Sequence, residues 1–211
     1  MLRRPPRVRP CSICSSRRRR HMSGSASERS SSCCWQWSPM CAAAAGESVN
    51  SLELSKPHER LRELGLELPA PPTPAASYVP TRLVPIGEGR ALLYVAGQVS
   101  VANGERLTGR CPDEVSVEEA QARARVCALN VLAQIESAAG LENVDQVTQV
   151  IGFVLSKDGF GDQPKVINGA SDLLVEVLGD AGRHTRIAVG ANALPFSVTV
   201  EVAAVAVVRT R

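Results

Sequence analysis

The sequence predicts an α+β fold in which a mixed β-sheet carries two helices on one face, with the element order β-β-α-β-α-β-β. Apolar residues recur at every third and fourth position over residues 117–139, which is the period of an amphipathic helix. Short β-rich runs bounded by Gly, Pro and Asn alternate with this helix and with a second helical segment. Crossover connections between such strands are right-handed, so both helices are expected on the same face. Aromatic residues make up only 3% of the chain, so the core must be aliphatic.

The chain divides into three segments by composition. Residues 1–46 hold nine Arg, ten Ser, five of the seven Cys and one acidic residue, and we expect a disordered extension with the composition of an organelle transit peptide. Residues 47–74 are predicted to form a short helix and a Pro-rich lead-in, and residues 75–211 the domain itself. The extension predicts a mitochondrial or chloroplast location. Two alternatives stay open: a start codon placed too early, which would make the protein cytoplasmic, and a basic tail that contacts RNA or acidic partners.

Charge and cysteine usage narrow the expected partners. Residues 1–46 carry a net charge of +8, which leaves −5 on the rest of a chain whose total is +3, so no nucleic-acid partner is indicated. No stretch approaches the roughly 20 apolar residues of a membrane span, so no membrane partner is expected. Cys11 and Cys14 have the spacing of a metal half-motif, but no second couple completes it, and neither a metal nor another cofactor is predicted. Cys111 and Cys127 fit a reducing compartment without structural disulfides.

The first elements are a short helix, a Pro-rich connector and a strand. The apolar pattern of Leu52–Leu66 predicts an amphipathic helix that Gly65 ends. Leu68–Pro74 is predicted to be an extended lead-in, because proline lacks the amide hydrogen that a helix or sheet interior needs. A strand is predicted over Tyr78–Val84, and the turn Gly87–Gly89 leads out of it.

The second strand and the long helix follow. The unbroken apolar run Ala91–Ser100 predicts a strand that is buried on both faces, and Asn103-Gly104 predicts the turn after it. Ser116 can cap the helix Val117–Ala139 with its hydroxyl group.

The C-terminal half repeats strand and helix and ends in two strands. Gln146–Leu155 is predicted to be a strand, and Pro164–Leu178 a helix that the following glycine ends. The β-rich runs His184–Ala191 and Ser197–Val208 are predicted to be strands that pair with each other.

Arg186 and Glu201 interrupt these last two strands with charge. Period-two alternation allows both to be a solvated cross-strand pair. The alternative is a small polar site on the sheet, in which a planar guanidinium binds a substrate carboxylate and the glutamate activates water.

Four segments stand in a fixed order along the chain: Tyr94-Val95-Ala96-Gly97-Gln98, Asp162–Asp172, the segment around Arg186 and Val200-Glu201-Val202. Together they resemble the YjgF/RidA family, also called the L-PSP endoribonuclease or chorismate-mutase-like group. The likeness is closest to a divergent branch with the lead-in Leu-Gly-Leu-x-Leu-Pro, and it covers about residues 58–209.

The resemblance implies a chorismate-mutase-like subunit that assembles as a homotrimer, with three sheets forming a central barrel and ligand clefts between neighbouring subunits. Both predicted helices have a polar outer face, so the apolar sheet face opposite them would need such partners; a sheet that stays monomeric is the alternative. The resemblance also implies hydrolysis of reactive 2-enamino and 2-imino acids, such as 2-aminoacrylate, to a 2-keto acid and ammonia. The expected ligand is therefore a small imine or keto acid that carries a carboxylate.

The resemblance assigns roles to particular residues. Arg186 would hold the substrate carboxylate, and Glu201 would position or deprotonate the attacking water. Tyr78, Gly97 and Asn168 would contact the substrate, and Gly97 would let backbone groups approach it because glycine has no Cβ.

Two positions depart from the family pattern. Ala96 stands where the family usually has Ser, and Ala188 where many members have Cys, so a hydroxyl and a thiol are lost while the backbone groups of Ala188 remain available to a substrate. The carboxylate clamp survives both changes, and the deaminase stays the leading hypothesis. A non-catalytic sensor or binding module for small carboxylates is the alternative that Ala96 favours. An endoribonuclease is a third, disfavoured because the domain is acidic and poor in aromatic residues.

The candidate site residues also have structural interpretations. Arg186 could form an interface salt bridge, Glu201 could be its structural partner, Tyr78 a packed core ring and Asn168 a helix-turn hydrogen bonder. His184, at the start of a strand, is expected to be solvated rather than to act as a base.

Overall fold

The structure is a computed structural model that describes residues 57–210. Three predictions fall outside these residues: the extension over residues 1–46, the Cys11 and Cys14 half-motif within it, and the first residues of the helix predicted from Leu52. They stay predictions.

Three α-helices are present in the described part of the chain. α1 spans Pro57–Glu63, α2 Val117–Ala139 and α3 Gln163–Leu178. α2 has its predicted bounds, and Ser116 caps it as expected, because the Ser116 hydroxyl accepts a hydrogen bond from the amide of Glu119 at 3.1 Å. α3 begins within one residue of its predicted start.

Seven strands accompany the helices. β1 spans Thr81–Gly87, β2 Arg90–Val99, β3 Val101–Ala102, β4 Glu105–Arg106, β5 Val144–Leu155, β6 Thr185–Ala191 and β7 Val200–Arg209. β3 and β4 form a hairpin around the predicted Asn103-Gly104 turn, where both residues have the positive φ that such turns require. The other five strands form one mixed sheet, so the predicted α+β class and the order of its main elements are confirmed.

The strands of this sheet lie in the order β1-β2-β7-β5-β6. β7 pairs antiparallel with β2 on one side and with β5 on the other, while β6 pairs parallel with β5. The prediction that the last two strands pair with each other is therefore wrong, because β5 lies between them. Pairing depends on the crossover through α3, which brings β6 back parallel to β5 and leaves the central position to β7.

The core lies between the sheet and the helices. α3 approaches β5 so closely that a Cβ at Gly152 would lie 2.5 Å from Ile167 Cδ1, and α2 contacts β7 through a hydrogen bond from Cys127 Sγ to the carbonyl of Val200. The buried apolar residues in the described chain are all Leu, Ile, Val, Ala or Cys, which confirms the aliphatic core. Both helices therefore cover the same sheet face.

β2 is not buried on both faces, and that prediction is wrong. Ala91, Leu93 and Val95 are buried under the helices, but Tyr94 on the other face is 45% exposed. The apolar run continues because the face away from the helices is itself apolar.

We call this second sheet face, which the helices do not cover, the open face. It carries Tyr94 opposite Val205, and Ile187 opposite Ile151. Ile187 is 46% exposed and Val189 40% exposed. The single chain thus presents the apolar sheet face that the sequence predicts, a surface of the kind that marks protein interfaces.

Two strands begin later than predicted. β1 starts at Thr81, after bends that include Tyr78. β7 starts at Val200, because Pro195–Ser197 form a 3-10 turn in which Phe196 and Ser197 both have a φ of 57°.

No helix within residues 57–210 is long and apolar enough to cross a membrane. Both cysteines of that part of the chain, Cys111 and Cys127, are buried and free. Burial, together with the nearby Glu201 charge, raises the pKa of the Cys127 thiol well above its usual range, so this thiol is unreactive.

Candidate functional site

A cavity of about 730 Å³ lies between the Pro-rich lead-in, the end of β2, the β3–β4 hairpin and the start of β7. Three of the predicted site residues line it: Tyr78, Gly97 and Glu201. Ala96, the first of the two departures from the family pattern, lines it as well.

β2 bulges where it borders this cavity. Its pairing with β7 runs to Val95 opposite Ala204, is interrupted, and resumes at Gln98 opposite Val202. The bulge brings Gly97 against the side chain of Glu201.

Gly97 leaves room for the Glu201 carboxylate. A Cβ at position 97 would lie 1.9 Å from Glu201 Oε1 and 2.8 Å from its Cδ, a separation that no relaxed side chain adopts. The resemblance predicts that the missing Cβ lets a ligand approach Gly97. In the structure, the group that a Cβ at this position would meet is the Glu201 carboxylate.

The Glu201 carboxyl group is half-buried, and burial raises its pKa. Desolvation is the only cause of this shift, since no cation in the described chain stabilises the ionised form. A carboxylate in this environment is a stronger base than one in water, which suits a group that must take a proton from a water molecule.

The Pro-rich lead-in is tied to the fold on both sides of the cavity. The amide of Ala96 donates to the carbonyl of Pro80 at 2.9 Å, and Gln134 Nε2 on α2 donates to the carbonyl of Pro72 at 2.6 Å. Tyr78 lies between these two ties and is 48% exposed, so the alternative of a packed core ring is wrong. Tyr78, which follows the lead-in, and Glu201 line the same cavity.

Arg186 does not line this cavity and instead contacts α3. Its Nη1 donates to Asn168 Oδ1 at 2.9 Å and to Ser171 Oγ at 3.1 Å, and its Nη2 donates to the carbonyl of Pro164 at 3.2 Å. All three acceptors are uncharged. The guanidinium therefore has no neutralising partner within residues 57–210 and keeps N–H groups for an anion.

His184 supports Arg186 through Ser171. His184 Nδ1 lies 2.6 Å from the carbonyl oxygen of Gly182, and Nε2 lies 3.0 Å from Ser171 Oγ. A carbonyl oxygen only accepts, so Nδ1 carries the hydrogen and the neutral ring accepts at Nε2 from the Ser171 hydroxyl. Ser171 Oγ can then accept from Arg186.

The environment of His184 keeps it neutral. Burial lowers its pKa and the charge of Arg186 lowers it further, while the hydrogen bond to Gly182 acts in the opposite direction. The expectation of a solvated His184 is wrong, because the ring is half-buried and hydrogen-bonded through both nitrogens.

The predicted residues form two separate groups within one chain. We call Tyr78, Gly97 and Glu201 the carboxylate cluster, and Asn168 and Arg186 the arginine cluster. Ala188 lies two residues after Arg186 on β6, is half-buried and packs against the core.

The two clusters lie on opposite faces of the sheet. Arg186 is opposite Val150, which is buried under the helices, whereas Glu201 alternates with the buried Val200 and Val202 and therefore faces the open side. Since β5 separates β6 from β7, about two strand spacings, or roughly 10 Å, also lie between them across the sheet. A cross-strand pair, and Glu201 as the structural partner of Arg186 within one chain, are both wrong.

Sequence reasoning missed three residues that line the cavity: Arg106, Asn130 and Phe196. The Arg106 guanidinium carbon lies 3.9 Å from the centre of the Phe196 ring. Asn130 Nδ2 on α2 donates to the carbonyls of Val99 and Val101, at 3.3 and 3.1 Å. Of these three residues, Asn130 alone has a sequence signal, because it is a polar residue among the apolar positions of the α2 face that packs on the sheet.

A further group of potential metal ligands lies away from this cavity. His58 Nε2 is 3.4 Å from Glu136 Oε2 and 3.9 Å from Glu142 Oε2, and the three ligand atoms lie within 4.8 Å of one another. Glu136 Oε2 already accepts a hydrogen bond from the amide of Leu141 at 2.8 Å. The contacts of His58 with the two carboxylates, which are within ion-pair distance, account for this group.

A model of the family described as "YjgF/chorismate_mutase-like, putative endoribonuclease" matches residues 58–207. The chain belongs to this family. The match spans the lead-in, both clusters and all five strands of the main sheet, so the sequence resemblance is confirmed.

Other YjgF-like proteins are similar over most of their length. Protein TCP17 of Trypanosoma cruzi is 42% identical over 145 residues, which are 67% of this chain and 88% of that protein. The crystal structure of protein Atu1372 of Agrobacterium tumefaciens, of unknown function, is 40% identical with a TM-score of 0.65, covering 74% of this chain and 94% of that one. A "putative endoribonuclease" from Shewanella oneidensis is 31% identical with a TM-score of 0.67, covering 72% and 98%.

Proposed function

We propose that this YjgF-family protein hydrolyses reactive 2-enamino and 2-imino acids to 2-keto acids and ammonia, in a site formed between two copies of the chain. The observation that carries the proposal is the half-buried Glu201 carboxylate against Gly97, in a cavity with an exposed tyrosine. A basic carboxylate in a recess of this kind suits the activation of water.

The chemistry needs only groups that the chain supplies. An enamine takes a proton at C3 from water and becomes the iminium ion, which leaves hydroxide. A second water molecule then adds its oxygen to the iminium carbon while Glu201 takes the proton of that water. Glu201 returns this proton to the nitrogen of the carbinolamine, the C–N bond breaks to release ammonia, and the hydroxyl proton passes to the hydroxide, which leaves the keto group and water. Arg186 binds the substrate carboxylate throughout through parallel N–H donors, which a lysine cannot provide.

A site between copies follows from the separation of the two clusters. Arg186 and Glu201 of one chain lie on opposite faces of its sheet, so they cannot both contact the same small molecule. The arginine cluster lies near the β6 edge, and the carboxylate cluster lies beyond the end of β1. We propose a homotrimer in which the open faces pack together and the arginine cluster of one copy completes the carboxylate cluster of the next.

Turnover of 2-aminoacrylate by the full chain tests the proposal, with ammonia release as the readout. Glu201→Gln keeps the shape of the side chain but removes the base, so it should lower turnover by roughly 100-fold and change the affinity for pyruvate little. Arg186→Lys should weaken pyruvate binding about tenfold, because the paired hydrogen bonds are lost. Ala96→Ser restores a hydroxyl in the cavity and should raise turnover.

One observation favours a second candidate function, a non-catalytic sensor of small carboxylates. Ala96 lines the cavity and provides no hydroxyl to orient water or the imine nitrogen. In this case Glu201→Gln and Ala96→Ser leave imine hydrolysis at the uncatalysed rate, while Arg186→Ala still abolishes 2-keto acid binding.

RNA cleavage, the activity named in the family description, has less support. RNA binding needs several cations along a groove, together with stacking aromatic side chains. The cavity lining in the described chain has one basic residue, Arg106, and residues 47–211 carry a net charge of −5.

A further inference from the structure

Arg106 and Phe196 form a pair on the cavity wall that the deaminase proposal does not use. The guanidinium carbon of Arg106 lies 3.9 Å from the centre of the Phe196 ring, and both side chains are exposed. The guanidinium carbon thus lies over the ring, at the distance of a cation–π contact.

The cation–π contact leaves hydrogen-bond donors of Arg106 available. A guanidinium carries five N–H donors, and within residues 57–210 those of Arg106 bind no side-chain or backbone oxygen. Within residues 57–210, Arg106 forms no salt bridge with a carboxylate, and it is the one basic residue that lines the cavity.

Hydrogen bonds through Ser100 connect the backbone of the hairpin strand that carries Arg106 to the start of β7, where Glu201 lies. The amide of Leu107 donates to the carbonyl of Ser100, the Ser100 hydroxyl donates to the carbonyl of Leu107, and the Ser100 amide donates to the carbonyl of Val200, with lengths of 2.8 to 3.0 Å. Ser100 itself is fully buried. Three hydrogen bonds therefore connect the hairpin strand of Arg106 to the strand that begins beside Glu201.

Phe196 is presented by a strained turn. Phe196 and Ser197 both have a φ of 57°, a left-handed conformation that is unfavourable for residues other than glycine. The amide of Val198 donates to the carbonyl of Pro195, and the amide of Gly109 to the carbonyl of Ser197, and these bonds hold the turn. The result is a 48% exposed aromatic ring under Arg106, and strain of this kind is concentrated at functional sites.

We propose that Arg106, supported by Phe196, binds a second anionic group of the substrate, so that the site prefers 2-imino and 2-keto acids with a distal carboxylate. The inference rests on the proposed function, in which Arg186 of another copy holds the first carboxylate. That copy would fill part of the cavity, so the cavity volume does not determine how long the substrate is. The charge of Arg106 favours a substrate with a second anionic group, because this cation lies in a recess with apolar Pro and Ala walls and has no carboxylate partner within residues 57–210.

Calorimetric binding of two five-carbon keto acids to the full chain tests this inference. 2-Oxoglutarate and 2-oxopentanoate have the same length and differ in the distal carboxylate. The wild type should bind 2-oxoglutarate about tenfold more tightly, the gain expected of a charge-assisted hydrogen bond at a partly exposed site. Arg106→Met should remove this preference by weakening 2-oxoglutarate alone, and Arg106→Lys should restore part of it.

Arg125→Met is the matched control, because Arg125 forms a salt bridge with Glu176 on the helix layer, at 2.7 Å, and does not line the cavity. It should leave both affinities unchanged. Equal binding of the two acids by the wild type, or no binding of either, overturns the inference. So does an equal loss for both acids in Arg106→Met, which would make Arg106 the clamp for the first carboxylate.

Turnover separates this inference from the deaminase proposal. If neither 2-aminoacrylate nor the two five-carbon imino acids are hydrolysed but the Arg106-dependent preference in binding remains, the deaminase proposal fails and the second anion site stands. If both are hydrolysed without a preference, the deaminase proposal stands and the second anion site fails.

Discussion

Glu201 lies at a position that favours the neutral form of its carboxyl group. Burial raises the pKa of its carboxyl group, so the folded protein binds a proton there more tightly than the unfolded chain does. Stability is therefore highest when the group is protonated, and it falls as the pH rises from the unfolded pKa through the folded one. A buried base of this kind is typical of sites selected for reactivity rather than for stability.

Glu201→Gln should accordingly raise the melting temperature near neutral pH while it lowers turnover. The gain should disappear in acid, below both pKa values, because Glu201 is then neutral in the folded and unfolded states. Thermal denaturation between pH 4 and pH 8 measures this difference. Glu67→Gln, at an exposed position just before the lead-in, is the control for the loss of one carboxylate and should change the melting temperature at pH 7 little. A melting temperature for Glu201→Gln below that of the wild type at pH 7 would contradict the assigned cause.

The separation of Arg186 from Glu201 was not predictable from the sequence. Local patterns identify both residues, because each interrupts a β-rich run with charge. Their faces depend on which strand lies between them, and strand pairing is a property of the whole sheet. Arg106 and Phe196 carry no local signal in the sequence, since an exposed arginine on a two-residue hairpin strand and an exposed phenylalanine in a turn are both common.

At the scale of elements, α2 supports the wall of the cavity at the junction of β2 and β3 through the buried side chain of Asn130. Asn130 is 3% exposed and donates to two backbone carbonyls at the junction of β2 and β3. Each of these carbonyls would lose its side-chain partner if the amide were removed.

Asn130→Ala should therefore lower the free energy of unfolding by about 1–3 kcal/mol, the cost of leaving buried polar groups unsatisfied. Urea denaturation measures this change. Asn130→Asp should be at least as harmful, because it places a carboxylate against two carbonyl oxygens. Ser137→Ala, at an exposed position of the same helix, should have little effect. Equal stabilities for Asn130→Ala and Ser137→Ala would remove the assigned role.

The elements themselves were largely predictable, for reasons that differ between them. α2 could be placed to the residue because it has a continuous apolar period, a serine cap and a glycine stop. β7 was predicted to begin at Ser197 because its apolar pattern extends into a turn whose left-handed residues are not glycines. The apolar run of β2 predicts burial on both faces, because an apolar sheet face that is exposed in the single chain has the same sequence pattern as a face in the core.

At the scale of the whole molecule, the proposed trimer depends on the open face. Ile187 is 46% exposed on this face in the single chain and would be covered in the proposed trimer. Ile187→Asp would place an unpaired charge in an apolar interface, which is costly.

Sedimentation of the full chain should give a trimer, and Ile187→Asp should give monomers that have lost turnover, since the two clusters then no longer meet. Leu64→Asp is the matched control, because Leu64 is 40% exposed on the α1 side of the molecule and not on the open face. It should remain trimeric. A monodisperse wild-type monomer that still hydrolyses imines would contradict the proposed assembly.

The central position of β7 has a consequence for the synthesis of the protein. β7 is the last strand of the described chain, yet it lies between β2 and β5 and pairs with both. While a ribosome is still adding residues before Val200, these two strands have no common neighbour, and their unpaired edges are open to other chains. Contacts between distant parts of the chain also form slowly. The sheet can therefore close only after β7 has been synthesised, and Glu201, which lies on that strand, cannot act before then.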